Sequence, residues 1–225
     1  MRQKIMIAML AIAGIILVGN LYVISILPDE LNQGQIFRII FFHVPAAVAA
    51  MVGSAVALIA SVLFLIKKDF FYDSLAVAVT EVGLAFLAVN LVTGSIWAHE
   101  IWGVWWAWDA RLTSALICWV LYAGYLILRQ GLEEPTQRAT FAAVYSIFAF
   151  ADVPIVIFSI RWWRTIHPQP VFFSKTGSFP RDWTITLVVN MVALFLFYAV
   201  LTMIRLRQEQ TQREIDYLRR TAHAM

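Results

Sequence analysis

Long apolar runs separated by short polar stretches organise the chain from end to end. About 20 consecutive apolar residues are what a helix needs to cross a hydrocarbon core. Six such runs lie at about 5–27, 36–66, 75–97, 112–128, 140–160 and 184–204. In lipid each must be helical, because an open strand would leave backbone groups unpaired. The pattern predicts an all-α, polytopic integral membrane protein with six transmembrane helices, no sheet and no soluble domain. The second run is long for one span, so tilt or projection beyond the bilayer is expected. No period of twenty to fifty residues points to a repeat array. Residues 1–204 read as a six-span membrane domain and residues 205–225 as a cytoplasmic tail. In the tail, Leu206, Ile215 and Leu218 give a weak helical stripe among mixed charges. That pattern fits a solvated helix or a docking surface for a cytoplasmic partner.

Composition sharpens this picture. Of the 225 residues, 61% are hydrophobic and 14% charged, a balance foreign to soluble domains. The basic start, MRQK, followed by apolar Ile5 to Leu27, exceeds a signal h-region and shows no clear small-x-small cleavage site, so a retained first span is expected. The formal charge of +3 gives no reason to expect nucleic acid as a partner; the lipid bilayer is the expected surrounding. Cys118 is the one cysteine, which excludes an internal disulfide and attachment of haem through a C-x-x-C-H motif.

Charge placement predicts the orientation. With the N-terminus cytoplasmic, eleven Lys and Arg fall inside and six outside, which favours both termini inside. Three segments then share the outer face: Gln33 to His43, Trp97 to Thr113, and the loop from Arg161 to Trp183. Four of the six outer basic residues lie in that last loop, against the usual bias, which suggests an acidic ligand.

The middle segment, WAHEIWGVWWAWDARLT, holds Trp97, Trp102, Trp105, Trp106 and Trp108. An aromatic belt would place tryptophan at both interfaces. Here eight of nine, all but Trp119, fall on the outer side. A helix over 101–109 would set Trp102, Trp105, Trp106 and Asp109 on one face, lying along the membrane surface. The pattern favours a platform for a flat, apolar, anionic ligand, and haem fits that description.

His43 lies about two turns into the second span, with Ala46, Ala47, Ala50 and Ser54 below it and Pro45 loosening the helix. That small-residue stripe admits either a planar group or a tightly packed helix. His167 precedes Pro168 and Pro170 in the last outer loop. Two such imidazoles can face each other across a porphyrin iron. Arg38, Arg111, Arg161, Arg164 and Arg181 are candidates for the propionates, or for phospholipid headgroups. Asp152, two before Pro154, is a candidate for satisfying donors of a kinked helix or orienting a site group. Glu81, Asn90 and Asn190 are candidates for interhelical hydrogen bonds, without a further role. His99 is read as structural.

At WGVWWAWDARLT and FRIIFFHVPAA the chain resembles the WWD-domain haem-handling proteins of cytochrome c biogenesis, in particular their haem exporter protein C (CcmC) branch. The resemblance covers the whole chain. It implies haem b held non-covalently at the periplasmic face of a bacterial inner membrane. His43 and His167 would be the axial ligands of the iron, and Trp102, Trp105, Trp106, Trp108 and Asp109 the surface around the porphyrin. It further implies delivery of haem to the chaperone CcmE, and association with the ABC transporter CcmA/CcmB and with CcmD. In that view the chain is a delivery and attachment factor rather than a conventional enzyme, and no catalytic residue is assigned. Two other readings compete. Pro45, Pro154 and Asp152 suit a transporter or channel subunit without its own haem site. A transmembrane cytochrome b would want haem near both faces, and the inner side offers no histidine within a span.

Overall fold

The computed structural model describes residues 2–168 and 179–223; Pro170 and Lys175 fall outside the described residues. Among the described residues there are seven α-helices and no strand. They run α1 Arg2–Ile26, α2 Ile40–Lys67, α3 Phe70–Trp102, α4 Ala110–Gln130, α5 Pro135–Phe150, α6 Asp152–Trp162 and α7 Arg181–His223, with a 3-10 turn at Gln35–Ile39 leading into α2. Six helical stretches are long and apolar enough to cross a membrane, α5 and α6 together forming one of them. The protein is therefore an all-α polytopic membrane protein.

Local chemistry sets the boundaries. Asp69 caps α3 by accepting from the Phe71 N–H at 2.8 Å. Glu134 caps α5, where Pro135 opens the helix at a position needing no N–H. α2 stops at Lys68, which turns left-handed at φ 57°, and α3 stops at Gly103, left-handed at φ 71°. Ala151 separates α5 from α6 just before Pro154, whose missing N–H and ring interrupt the helical ladder. Asp152 caps neither helix; it is buried, with Oδ2 lacking a partner among the described residues.

The bundle is centred on α2 and α3. Ala46, Ala49 and Ala50 of α2 pack in one cluster with Val82, Phe86 and Leu87 of α3, Tyr122 of α4 and Tyr198 of α7. Close approach is specific here: a Cβ on Gly53 would sit 1.9 Å from the Tyr198 hydroxyl. Below His43, then, the small stripe serves helix packing, one of the two uses open to it.

Pro45 deprives the Phe41 carbonyl of its helical donor, and the amide of Asn190 on α7 donates to that carbonyl instead. Asn20 of α1 completes the chain, donating to Asn190 Oδ1 at 3.1 Å and to the Thr186 carbonyl at 3.0 Å. Polar side chains thus join α1, α7 and α2 where lipid offers no water to do so.

At the end of the bundle away from His43, α7 continues without a break past residue 204 and docks onto α3 and α4 through charge. Asp73 is 2% exposed and meets Arg129 at 2.7 and 3.1 Å. Asp73 also meets Arg213, Glu209 meets Arg129, Arg205 and Arg213, and Arg205 forks onto Glu81. The first part of the tail is thus bound to the bundle rather than free in water.

Candidate functional site

His43 belongs to the first turn of α2 proper, with the 3-10 turn supplying the residues before it. Its ring lies against α3. Nδ1 is 3.0 Å from Thr93 Oγ1, and the Thr93 hydroxyl itself donates to the Val89 carbonyl at 2.7 Å. With its own proton given to Val89, that oxygen is an acceptor suited to Nδ1–H, the tautomer that leaves the lone pair on Nε2. The Asn90 amide nitrogen lies 3.1 Å from Nε2 and 3.2 Å from Nδ1, and donates to the His43 backbone carbonyl at 3.1 Å. Gly94 makes room for the ring, because a Cβ there would stand 3.0 Å from His43 Cε1.

Asp109 is the N-cap of α4. Its Oδ1 accepts from the N–H groups of Arg111 at 2.8 Å and Leu112 at 3.3 Å. Its Oδ2 accepts from the N–H of Ile166 at 3.0 Å, across to the loop after α6. Desolvation raises the Asp109 pKa, but the Thr165 hydroxyl and the three backbone N–H groups lower it by more, so the carboxyl lies below its ordinary value.

His167 follows directly in that loop. Its N–H donates to Thr165 Oγ1 at 3.0 Å, and its Nδ1 lies 2.8 Å from the Pro168 carbonyl. A carbonyl only accepts, so Nδ1 carries the proton and Nε2 keeps the lone pair. Loss of hydration lowers the His167 pKa, opposed by the Pro168 carbonyl and assisted by the Arg111 charge, with a net downward shift. His43 and His167 lie within Coulombic range of each other and of Arg111. Each ring has an oxygen within hydrogen-bond distance of Nδ1, Thr93 Oγ1 for His43 and the Pro168 carbonyl for His167.

The tryptophans depart from the expected helix. α3 ends at Trp102, and residues 103–109 are not helical, so Trp102, Trp105, Trp106 and Asp109 do not share a helical face. Gly103 is the physical cause, since its left-handed backbone closes α3. Trp102 packs edge-on against Trp97 at 4.8 Å, and Trp97 donates to Gln33 Oε1 at 2.8 Å, tying this end of α3 to the segment before α2. Trp106 meets Trp108 edge-on at 6.1 Å. Trp105 is 60% exposed and stacks on His99 at 4.2 Å, and Trp108 is 79% exposed. Exposed Trp162 and Trp163 stand at the end of α6, before the His167 loop. Trp183 is buried among Phe37, Phe41 and Phe179, where it braces α7 and is no part of an open surface.

The arginines divide. Arg111 donates to the Val156 carbonyl of α6 while lying near both imidazoles. Arg38 is committed elsewhere, to the Leu27 carbonyl at 2.7 Å and Asp29 at 2.8 Å. Arg161, Arg164 and Arg181 are exposed. Thr93, Gly94 and Thr165 were not singled out in the sequence; their roles follow from contacts between distant segments.

Comparison with known proteins identifies the family. The family model described as CcmC, heme exporter protein C, matches residues 1–221. The heme exporter protein C of Bradyrhizobium diazoefficiens is 36% identical over 212 residues, covering 93% of this chain and 80% of that protein. That of Haemophilus influenzae is 33% identical over 197 residues, 85% of this chain and 78% of its own. That of Escherichia coli K12 is 31% identical over 204 residues, 88% and 81%. With the family model spanning nearly every residue from α1 to the end of α7, the chain belongs to the heme exporter protein C family.

Proposed function

We propose that this protein binds haem non-covalently as cargo at the non-cytoplasmic face of a bacterial inner membrane and hands it to the haem chaperone CcmE during c-type cytochrome biogenesis. His43 and His167 hold the iron from its two axial sides. Trp105 and Trp108, exposed and close in sequence to the α4 cap, offer apolar area to the porphyrin, with Trp102 and Trp106 behind them. Arg111, beside both imidazoles, is the favoured partner for a propionate. Haem supplies the reactive vinyl edge; the chain's residues orient it and limit access to the iron. Transfer is then helped by proximity and orientation. CcmA/CcmB and CcmD are the expected assembly partners, and both termini are cytoplasmic on the charge count.

One observation carries the reading. Two histidines 124 positions apart in sequence stand at one end of the bundle, His43 against the last turns of α3 and His167 in the loop that Asp109 holds to the start of α4, each with an oxygen near Nδ1. The test is a visible absorption spectrum of the chain purified in detergent. Wild type is expected to show a six-coordinate b-type haem, depleted in His43→Ala and in His167→Ala. Full haem content in both variants overturns the reading.

A further inference from the structure

Asp109 belongs to the tryptophan segment by sequence, yet both of its oxygens are already engaged by protein. Oδ1 closes the first turn of α4 through Arg111 and Leu112, and Oδ2 holds the Ile166 N–H. Ile166 is the residue before His167, and Thr165, whose hydroxyl faces the same carboxylate, accepts from the His167 N–H. A carboxylate with three backbone N–H donors shared over both oxygens has little left for a ligand. It does, however, fix where the His167 backbone stands relative to α4. A second tie runs parallel, from Arg111 to the Val156 carbonyl on α6.

We propose that Asp109 is a positioning residue: it ties the start of α4 to the loop carrying His167 and so sets that imidazole, without itself touching haem. This rests on the reading of His167 as an axial ligand. The chemistry is that of an outer-shell group, which orients a ligand by holding its backbone. It also couples the two outer segments, so that a shift of the tryptophan segment at α4 moves the His167 loop with it.

Two substitutions separate the cap from the tie. Serine is a good N-cap but too short to bridge to the loop. Asparagine keeps one acceptor oxygen and turns the other into a donor, which cannot receive the Ile166 N–H. The first measurement uses haem-free protein in detergent. Asp109→Asn and Asp109→Ser are expected to keep the wild-type melting midpoint while amide exchange at Ile166 and His167 speeds up about tenfold, as loss of one charge-assisted hydrogen bond implies. The second uses haem-loaded protein. Both variants are expected to shift from six- to five-coordinate spectra, as is expected of whatever haem His167→Ala retains, and added imidazole should restore the six-coordinate form.

Wild-type exchange at Ile166 and His167 in both variants would remove the tie. Faster exchange with an unchanged six-coordinate spectrum would show that the tie does not set the ligand. Reduced haem content with the remaining haem six-coordinate, and no response to imidazole, would make Asp109 a direct haem contact instead. If His167→Ala leaves the wild-type spectrum unchanged, the ligand reading fails and the proposal fails with it, even where amide exchange responds.

Discussion

Thr93 Oγ1 sits 3.0 Å from Nδ1 of His43, and the hydroxyl proton of Thr93 is already given to the Val89 carbonyl. The pair favours the tautomer with the proton on Nδ1 and the lone pair on Nε2. Asn90 contacts the same ring at both nitrogens, 3.2 Å from Nδ1 and 3.1 Å from Nε2, and so also covers the nitrogen a metal would take. The two neighbours should behave oppositely when replaced. Thr93→Val removes the orienting oxygen, and haem affinity is expected to fall about 10–100-fold, the usual cost of losing an outer-shell partner. Asn90→Ala removes a competitor and should leave affinity equal or higher. Haem titration of the two variants followed by absorbance checks this; a larger loss in Asn90→Ala than in Thr93→Val would reverse the assignment.

Gly94 tests the space around the same ring. A Cβ there would meet Cε1 at 3.0 Å, closer than side chains ordinarily tolerate. Gly94→Val adds two further methyl groups and should displace the imidazole. The expected outcome is haem loss matching His43→Ala in a protein that still folds, read by spectrum and by size-exclusion profile together. Wild-type haem content in Gly94→Val would mean that the ring relaxes at no cost.

Asn190 replaces a hydrogen bond that Pro45 cannot make. Asn190→Leu keeps the volume but leaves the Phe41 carbonyl without its donor and frees Asn20. A buried polar group left unsatisfied costs about 1–3 kcal/mol, although exchange of partners in lipid trims such values toward about 1 kcal/mol. The melting midpoint in detergent should fall accordingly. Pro45→Ala in the same background returns an N–H to Phe41 and should recover part of the loss.

Asp73 holds two arginines in a nearly dry setting, with Arg129 only 7% exposed. Asp73→Asn leaves Arg129 and Arg213 to share Glu209 alone, and the full cost of breaking a buried pair, about 3–5 kcal/mol, is the upper bound on the loss. The extension of α7 should loosen first, since Arg213 loses its main anchor. Limited proteolysis is the direct measurement: cleavage after residue 205 is expected to quicken in Asp73→Asn before the spans are cut. An unchanged cleavage rate would mean that Glu209 alone holds the extension.

The six spans were legible because lipid allows a long apolar run only one conformation. Their ends were less so. α3 begins at Phe70, ahead of the expected 75, because Asp69 caps it there, and Asp73 inside its first turn is paired with Arg129 from another helix. The helix expected over 101–109 had the right spacing, but Gly103 takes a left-handed backbone, and one such residue outweighs a tryptophan pattern. His43, His167 and the α4 cap at Asp109 could be named from local sequence. The tie from Asp109 to Ile166, and the support of His43 by Thr93, join segments tens of residues apart, and no local pattern records them. Trp183 looked like its neighbours in sequence and is a core residue because Phe37, Phe41 and Phe179 enclose it.

The 43-residue helix α7 has no glycine or proline within it. At 1.5 Å per residue it is about 65 Å long, against about 40–45 Å for a bilayer with its headgroups. One end must therefore stand well clear of the lipid as a stiff lever. Torque applied to that arm meets first the ion pairs of Arg213, Glu209 and Arg205 with α3 and α4, and only beyond them the stretch of the same helix that carries Asn190 and Trp183.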